Sequence, residues 1–134
     1  MASDSRQAAP AVVLFDIDGT LIRRAGPHHR QALVEAVRVV TGLDTTTDHI
    51  PVQGMLDRDI LTRMMKDAGA TRLMIAASMP SVVREAQRIY VRNCPVLETK
   101  VCPGSRELLQ QLLDRGIPVG LVTGNLTRIA WKKM

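Results

Sequence analysis

The hydrophobic pattern divides the chain into a first strand, a helical stretch and a returning strand. Residues 12–15 are apolar and are followed at once by Asp16-Ile17-Asp18-Gly19, the pattern of a buried parallel strand that stops at a polar turn. A second strand is predicted at residues 118–123, after the breaker Gly116. The arrangement predicts an α/β fold in which a helical segment interrupts a parallel sheet.

Between the two strands the apolar positions follow a helical period. A first helix is predicted to end at Gly42, a second to begin with Asp57 as its N-cap and to end at Gly69, and a third to open at Ser78 or Ser81, near Pro80. Their inward-facing residues are expected to be Leu33, Ala36, Val37 and Val40 in the first, Leu61, Met64, Met65 and Ala68 in the second, and Val82, Ala86 and Ile89 in the third.

A fourth helix is predicted over residues 105–115, just before the second strand. We expect all four leucines of this helix to be buried: Leu108, Leu109, Leu112 and Leu113. A further helix is predicted to begin near Leu126 or Thr127, directly after the second strand. A standard βαβ crossover needs only one helix, so the three helices between the first strand and residue 99 suggest an inserted subdomain. The alternative is that these helices belong to the core.

Composition narrows the class of protein. The 134 residues fit one domain, and the 46% hydrophobic content supports a core built from aliphatic and methionine side chains, since aromatic residues make up only 2%. The net charge of +5 comes from scattered basic residues, which argues against nucleic-acid binding. No signal peptide or membrane span is visible, and Cys94 and Cys102 show no metal or disulfide spacing. We therefore expect a cytoplasmic protein with no membrane partner and a disordered tail at residues 1–11.

Asp16 and Asp18 are the first candidates for chemistry. Side chains two residues apart on a strand point the same way, so the two carboxylates would share one site if the strand continues through Asp18. Such a pair can bind a hard divalent cation or divide the roles of nucleophile and acid/base. The alternative is a solvated turn, which explains Asp18 and Gly19 but not an acid directly after four apolar residues.

The end of the second strand offers a candidate anion site. Thr123, Gly124 and Asn125 come between the strand and the following helix. A hydroxyl group, a glycine that permits close backbone approach and the N–H groups of a helix N-terminus together suit a phosphate. The alternative is an ordinary N-cap made by Asn125 or Thr127.

The sequence from Asp16 to Thr20 resembles the D-x-D-G-T motif of the haloacid dehalogenase-like hydrolases. That resemblance implies that Asp16 attacks phosphorus, that Asp18 protonates the leaving group and then activates water, and that Gly19 and Thr20 support the turn. It also implies a Mg²⁺ ion held by Asp16 and Asp18, the latter through its backbone carbonyl. Because Asp18 is present, the resemblance favours a phosphatase over a dehalogenase, with a sugar phosphomutase as the alternative.

The segment ending in Thr123-Gly124-Asn125 resembles the second motif of the same family, in which a hydroxyl group binds the phosphoryl group. The resemblance implies a Rossmann-like core formed by residues 12–22 and 100–134, a helical cap at residues 23–99, and a small phosphorylated metabolite as substrate. The cap resembles that of phosphoglycolate phosphatases. The resemblance does not fix the phosphomonoester or the oligomeric state.

Two later motifs of that family, a basic residue and the acids that complete the Mg²⁺ site, are not found. Lys132 and Lys133 come too early in the sequence for the family's lysine, which normally follows the helix after the second motif, so its role is assigned to neither. The alternative is that the charge of one of them partly substitutes for it. We therefore expect the chain to be either the N-terminal part of a longer protein or a truncated gene product, rather than an efficient enzyme by itself. A catalytically inactive module that binds a phosphate or a partner is the remaining alternative.

Overall fold

The computed structural model describes residues 11–23 and 26–134, so nearly all of the predicted tail lies outside the described residues. The elements follow in the order β1 (Val13–Phe15), α1 (His28–Thr41), α2 (Asp57–Asp67), α3 (Arg72–Asn93), a 3₁₀ turn (Glu98–Lys100), α4 (Ser105–Asp114), β2 (Val119–Leu121) and α5 (Thr127–Lys133). The described chain is thus mostly helical, with one short two-stranded sheet.

The two strands pair in parallel, which confirms the predicted α/β class as a partial sheet. Val13 lies opposite Val119 and Phe15 opposite Leu121. A hydrogen bond 2.9 Å long from Val122 N to Phe15 O continues the pairing to the last residue of β1. Because the strands are parallel, the turns that follow them lie at the same edge of the sheet.

Two apolar clusters form the core, and α5 contacts both. The larger cluster packs the inner faces of α1, α2 and α3 together with Leu126 and Ile129. The smaller one surrounds β1 and the adjoining turn and includes Ala130. Since Ile129 and Ala130 are neighbours in one short helix, α5 is fixed between the helical segment and the sheet.

The ends of α1 and α2 agree with the sequence prediction, whereas α3 begins much earlier than predicted. Gly42 ends α1 with a φ of +75°, a left-handed conformation that glycine adopts readily. Helix α3 begins at Arg72, where the Thr71 hydroxyl accepts a hydrogen bond from Met74 N, and Pro80 lies inside it. The 22-residue helix tolerates this proline because its following turns bury a continuous apolar face.

The prediction that all four leucines of α4 are buried is wrong. Leu112 is buried and Leu109 is half-buried, but Leu108 and Leu113 are 44% and 70% exposed. The described sheet has only two strands of three residues each, so it covers a narrower part of the helix than the four leucines span. In the described ranges, none of the helices is both apolar and long enough to cross a bilayer.

Candidate active site at the edge of the two-stranded sheet

The turn after β1 places the two acids beyond the end of the strand. β1 ends at Phe15, so the premise that the strand continues through Asp18 is wrong. The alternation of side chains nevertheless persists, because Ile17 is fully buried while Asp16 and Asp18 on either side are exposed. Gly19, with a φ of +83°, closes the turn by donating a 2.7 Å hydrogen bond to Ile22 O.

Asp16 is an exposed carboxylate with a local anchor. Its Oδ1 accepts a hydrogen bond of 2.8 Å from Ile17 N, which fixes the side chain against its own turn. Its Oδ2 remains for other contacts. An anchored, exposed carboxylate is well suited to contact a ligand.

The turn after β2 lies against Asp18. The Asn125 side-chain amide donates a hydrogen bond of 2.7 Å to Asp18 Oδ2 and one of 2.5 Å to Thr123 Oγ1. The Asn125 backbone N–H also donates to Thr123 Oγ1, at 3.2 Å. The structure thus brings Asp18, Thr123 and Asn125 together. Asp18 and Asn125 are 107 residues apart in the sequence.

Gly124 is required by the packing of this turn. A Cβ atom built on it would lie 2.5 Å from Met55 O and 3.3 Å from the Cα atom of Leu56. The backbone that leads into α2 therefore packs directly against the turn after β2. A hydrogen bond of 2.8 Å from Asp57 N to Gly124 O joins the two segments.

Lys133 also lies in this site, although the sequence analysis did not assign it there. Its ammonium group donates hydrogen bonds to Asp18 Oδ1 at 2.6 Å, to Asn125 Oδ1 at 2.8 Å and to His29 Nδ1 at 3.2 Å. Lys133 is only 4% exposed, and it shares the inner face of α5 with Ile129. Lys132 is exposed, so helical geometry selects the second of the two adjacent lysines.

These contacts set the charge of Asp18. Partial burial by itself raises the pKa of the Asp18 carboxyl group, but the hydrogen bonds from Lys133 and Asn125 outweigh it, so the pKa is lowered overall. Asp18 is therefore a carboxylate near neutral pH while Lys133 is in place.

Sequence reasoning missed Asp57 and His29. Asp57 was predicted as an N-cap, but it is the first residue of α2, and Leu56 precedes it without a side-chain cap. The Asp57 carboxylate, only 3% exposed, instead accepts hydrogen bonds from Leu126 N at 2.7 Å and from His29 Nε2 at 2.9 Å. These partners are 69 and 28 residues away, so no local pattern reveals them.

Asp16 and Asp18 supply only part of a metal site. Within residues 11–23 and 26–134, no group of three or more histidine, cysteine or acidic side chains is placed to hold a metal ion. Mg²⁺ commonly takes one or two protein carboxylates and completes its shell with water and substrate phosphate. The exposed Asp16 carboxylate fits that role, whereas the Asp18 carboxylate is already paired with an ammonium group.

Comparisons with solved structures show the same fold. The chain is similar to CbbY from Rhodobacter sphaeroides in complex with phosphate, with 19% identity and a TM-score of 0.65 over 91% of this chain and 54% of that one. A mutant of the same protein in complex with xylulose-1,5-bisphosphate gives 18% identity and a TM-score of 0.60 over 89% and 55%. The chain is also similar to a predicted phosphoglycolate phosphatase from Haemophilus somnus 129PT. The identity is 21% and the TM-score 0.54, over 87% of this chain and 52% of that one.

The chain therefore spans about half the length of these similar structures. No curated protein matches its sequence. The family model for haloacid dehalogenase-like hydrolases, however, matches residues 10–134. The match includes both polar turns and the helices between them, and the chain accordingly belongs to the haloacid dehalogenase-like hydrolases.

Proposed function

We propose that the chain is the N-terminal part of a phosphatase that hydrolyses a small phosphomonoester through an aspartyl phosphate on Asp16. The observation that carries this proposal is the junction of the two turns: Asn125 hydrogen-bonds Asp18 and Thr123 together. A carboxylate, a hydroxyl group and a buried ammonium group thereby meet at one edge of the sheet, and the exposed Asp16 carboxylate lies two residues before Asp18 in the same turn. This set suits phosphoryl transfer, which depends on positioning and charge stabilisation.

In the first step, Asp16 Oδ2 attacks phosphorus while Ile17 N holds Oδ1. A bond forms between Oδ2 and phosphorus as the bond from phosphorus to the ester oxygen breaks. Asp18 gives its proton to the departing alcohol oxygen. Because Asp18 is a carboxylate at rest, it first takes up a proton from solvent, to which its side chain is 46% exposed, while Lys133 stays beside it.

In the second step, water attacks phosphorus of the aspartyl phosphate. Asp18 takes a proton from that water, and the bond from phosphorus to Asp16 breaks, which releases inorganic phosphate and restores the Asp16 carboxylate. The lowered pKa of Asp18 favours the ionised form that this step needs.

Thr123, Gly124 and Asn125 would bind the phosphoryl group through the Thr123 hydroxyl and the backbone N–H groups of the other two residues. The close approach of the Met55 backbone to Gly124 fixes the position of this turn, which supports the proposal. Asp16 and the backbone carbonyl of Asp18 would hold Mg²⁺, with Gly19 and Thr20 supporting the turn. When bound, the ion neutralises charge on the phosphoryl oxygens.

The test is hydrolysis of p-nitrophenyl phosphate by the purified chain, with and without Mg²⁺. Asp16→Asn should lower the rate by about 10³-fold or more, because it removes the attacking oxygen. Asp44→Asn, which changes an exposed carboxylate in the loop after α1, is the matched control and should leave the rate unchanged. Equal loss in both variants, or turnover that survives Asp16→Asn, would contradict the nucleophile assignment.

A second candidate is a module that binds phosphate without turnover. It is supported by the pairing of Asp18 with Lys133 and by the absence of a third acidic side chain near the two acids within the described ranges. Titration of the folded chain with inorganic phosphate, followed by NMR shifts of Gly124 and Asn125, tests it. Saturable shifts without hydrolysis would favour binding over catalysis.

A further inference from the structure

We propose that His29 and Asp57 are positioning residues that hold Lys133 against Asp18. His29 lies in the first turn of α1 and Asp57 is the first residue of α2, whereas Lys133 ends α5 and Asp18 follows β1. Their hydrogen bonds therefore connect the helical segment with the candidate active site. The catalytic significance of this connection rests on the proposed function, but the connection itself can be tested without turnover.

The partners of His29 determine its tautomer. An ionised Asp57 carboxylate can only accept, so His29 Nε2, 2.9 Å from Asp57 Oδ2, carries the hydrogen. In the neutral ring, Nδ1 is then an acceptor, and it faces the Lys133 ammonium group at 3.2 Å. Asp57 thus fixes the ring so that a lone pair points at Lys133.

This lone pair completes the surroundings of Lys133. An ammonium group has three N–H donors, and Lys133 has three acceptors: Asp18 Oδ1, Asn125 Oδ1 and His29 Nδ1. Since Lys133 is 4% exposed, water cannot readily replace a lost acceptor. His29 therefore helps determine where the ammonium group lies.

Asp57 couples the same network to the turn after β2. The carboxylate oxygen that accepts from His29 also accepts from Leu126 N, and the Asp57 backbone N–H donates to Gly124 O. One buried carboxylate thus holds both the histidine that faces Lys133 and the turn that would bind phosphate. A displacement of α2 would alter both together.

A purely structural role for His29 is the competing explanation, because its ring also packs edge-on against Tyr90, with centroids 5.7 Å apart. His29→Phe separates the two explanations. It retains a ring for Tyr90 but removes both nitrogen atoms. His28→Phe is the matched control, since His28 is the adjacent residue of α1 and belongs to none of the hydrogen bonds described above.

The readout is competitive amine labelling with acetic anhydride, quantified by mass spectrometry as the ratio of Lys133 to Lys132 modification. Lys132 is exposed and serves as an internal standard. We expect the ratio to rise at least about tenfold in His29→Phe, the factor for losing one hydrogen bond to a charged group, and to change less than about twofold in the control. An unchanged ratio in a folded His29→Phe chain would overturn the proposal.

A second measurement uses the wild-type chain, so it does not depend on whether a variant folds. The ¹⁵N spectrum of the wild-type histidine rings near neutral pH should show one histidine as a single Nε2–H tautomer, in contact with Lys133 protons. An Nδ1–H form or a tautomer mixture for His29 would also overturn the proposal.

Activity then separates this inference from the proposed function. Altered labelling in His29→Phe, in a chain that does not hydrolyse phosphate esters, would retain the positioning role and refute the phosphatase. Turnover that depends on Asp16 but is unchanged in His29→Phe, with unchanged labelling, would refute the positioning role alone. If both hold, His29→Phe should lower kcat with a smaller effect on KM, because Lys133 would be misplaced during the reaction.

Discussion

Gly124→Ala tests whether the turn after β2 depends on direct contact with the backbone leading into α2. The added methyl carbon would lie 2.5 Å from Met55 O, 0.9 Å short of the 3.4 Å at which ordinary contact begins. The atoms in the way are backbone atoms, and they include the Cα atom of Leu56 at 3.3 Å, so no side-chain rotation relieves the clash. One of the two segments has to move.

The magnitude follows from the size of that movement. Inserting a methyl group into a closely packed site costs about 1–3 kcal/mol of unfolding free energy. The hydrogen bond from Asp57 N to Gly124 O lies at the same contact, which places the expected value in the upper part of that range. Since a shift near 1 Å in a reacting group can lower a rate about 100-fold, any phosphatase activity should fall as well.

The assay is urea unfolding of the wild type and the variant, followed by circular dichroism, with thermal melting as a check. A loss of 1 kcal/mol corresponds to roughly 3–5 °C in Tm for a chain of this size. Gly120→Ala is the matched control, because its Cβ would meet only the Leu14 Cδ2 atom, at 3.0 Å. Leu14 is 59% exposed and free to turn aside, so we expect a change within about 0.5 kcal/mol.

The reasoning fails if Gly124→Ala is as stable as the wild type. It fails equally if Gly120→Ala is destabilised to the same degree, since replacement of any glycine near the sheet would then explain the result.

Three further predictions test the charge network, the core and a helix cap. Lys133→Met should raise the pKa of Asp18 in a ¹³C carboxyl titration. The lowered pKa of Asp18 contributes unfolding free energy above about pH 4, and this contribution is lost as the pH falls through that pKa. The difference in unfolding free energy between wild type and variant should therefore narrow in acid. A difference that widens would contradict the pairing of Asp18 with Lys133. Leu61→Ala, at a fully buried position, should lower the free energy of unfolding by about 2–5 kcal/mol. Leu113→Ala, at an exposed position, should change it by less than about 0.5 kcal/mol. Similar losses for both variants in urea unfolding would mean that Leu113 is buried. Thr71→Ala should cost about 1 kcal/mol through the lost cap of α3, measured by the same melts, and a neutral result would argue that α3 does not begin there.

Much of the fold could be predicted because the signals are local. The periods of α1 and α2 and the breakers Gly42 and Gly69 mark where those helices end. The parallel pairing followed from two apolar runs separated by helices. The structure then brings Asp18 together with Thr123 and Asn125, since parallel strands end at one edge.

Other features depended on neighbours that the sequence does not reveal. Pro80 suggested a helix start, yet burial along α3 and the cap at Thr71 carry the helix through it. Leu108 and Leu113 fit an inward-facing pattern, but whether they are covered depends on the width of the sheet beneath α4. A period shows which residues share a face, but not how far the opposing surface extends.

The sequence by itself determined the family, the two polar turns and the residues Asp16, Asp18 and Thr123 that mark them. Only the tertiary structure decided that Lys133, rather than Lys132, pairs with Asp18, and that His29 and Asp57 hold it there. The contacts of Lys133 with Asp18 and His29 span 115 and 104 residues. Side-chain hydrogen bonds between distant elements have no period and no fixed spacing, so they exist as a pattern only after the helices have packed.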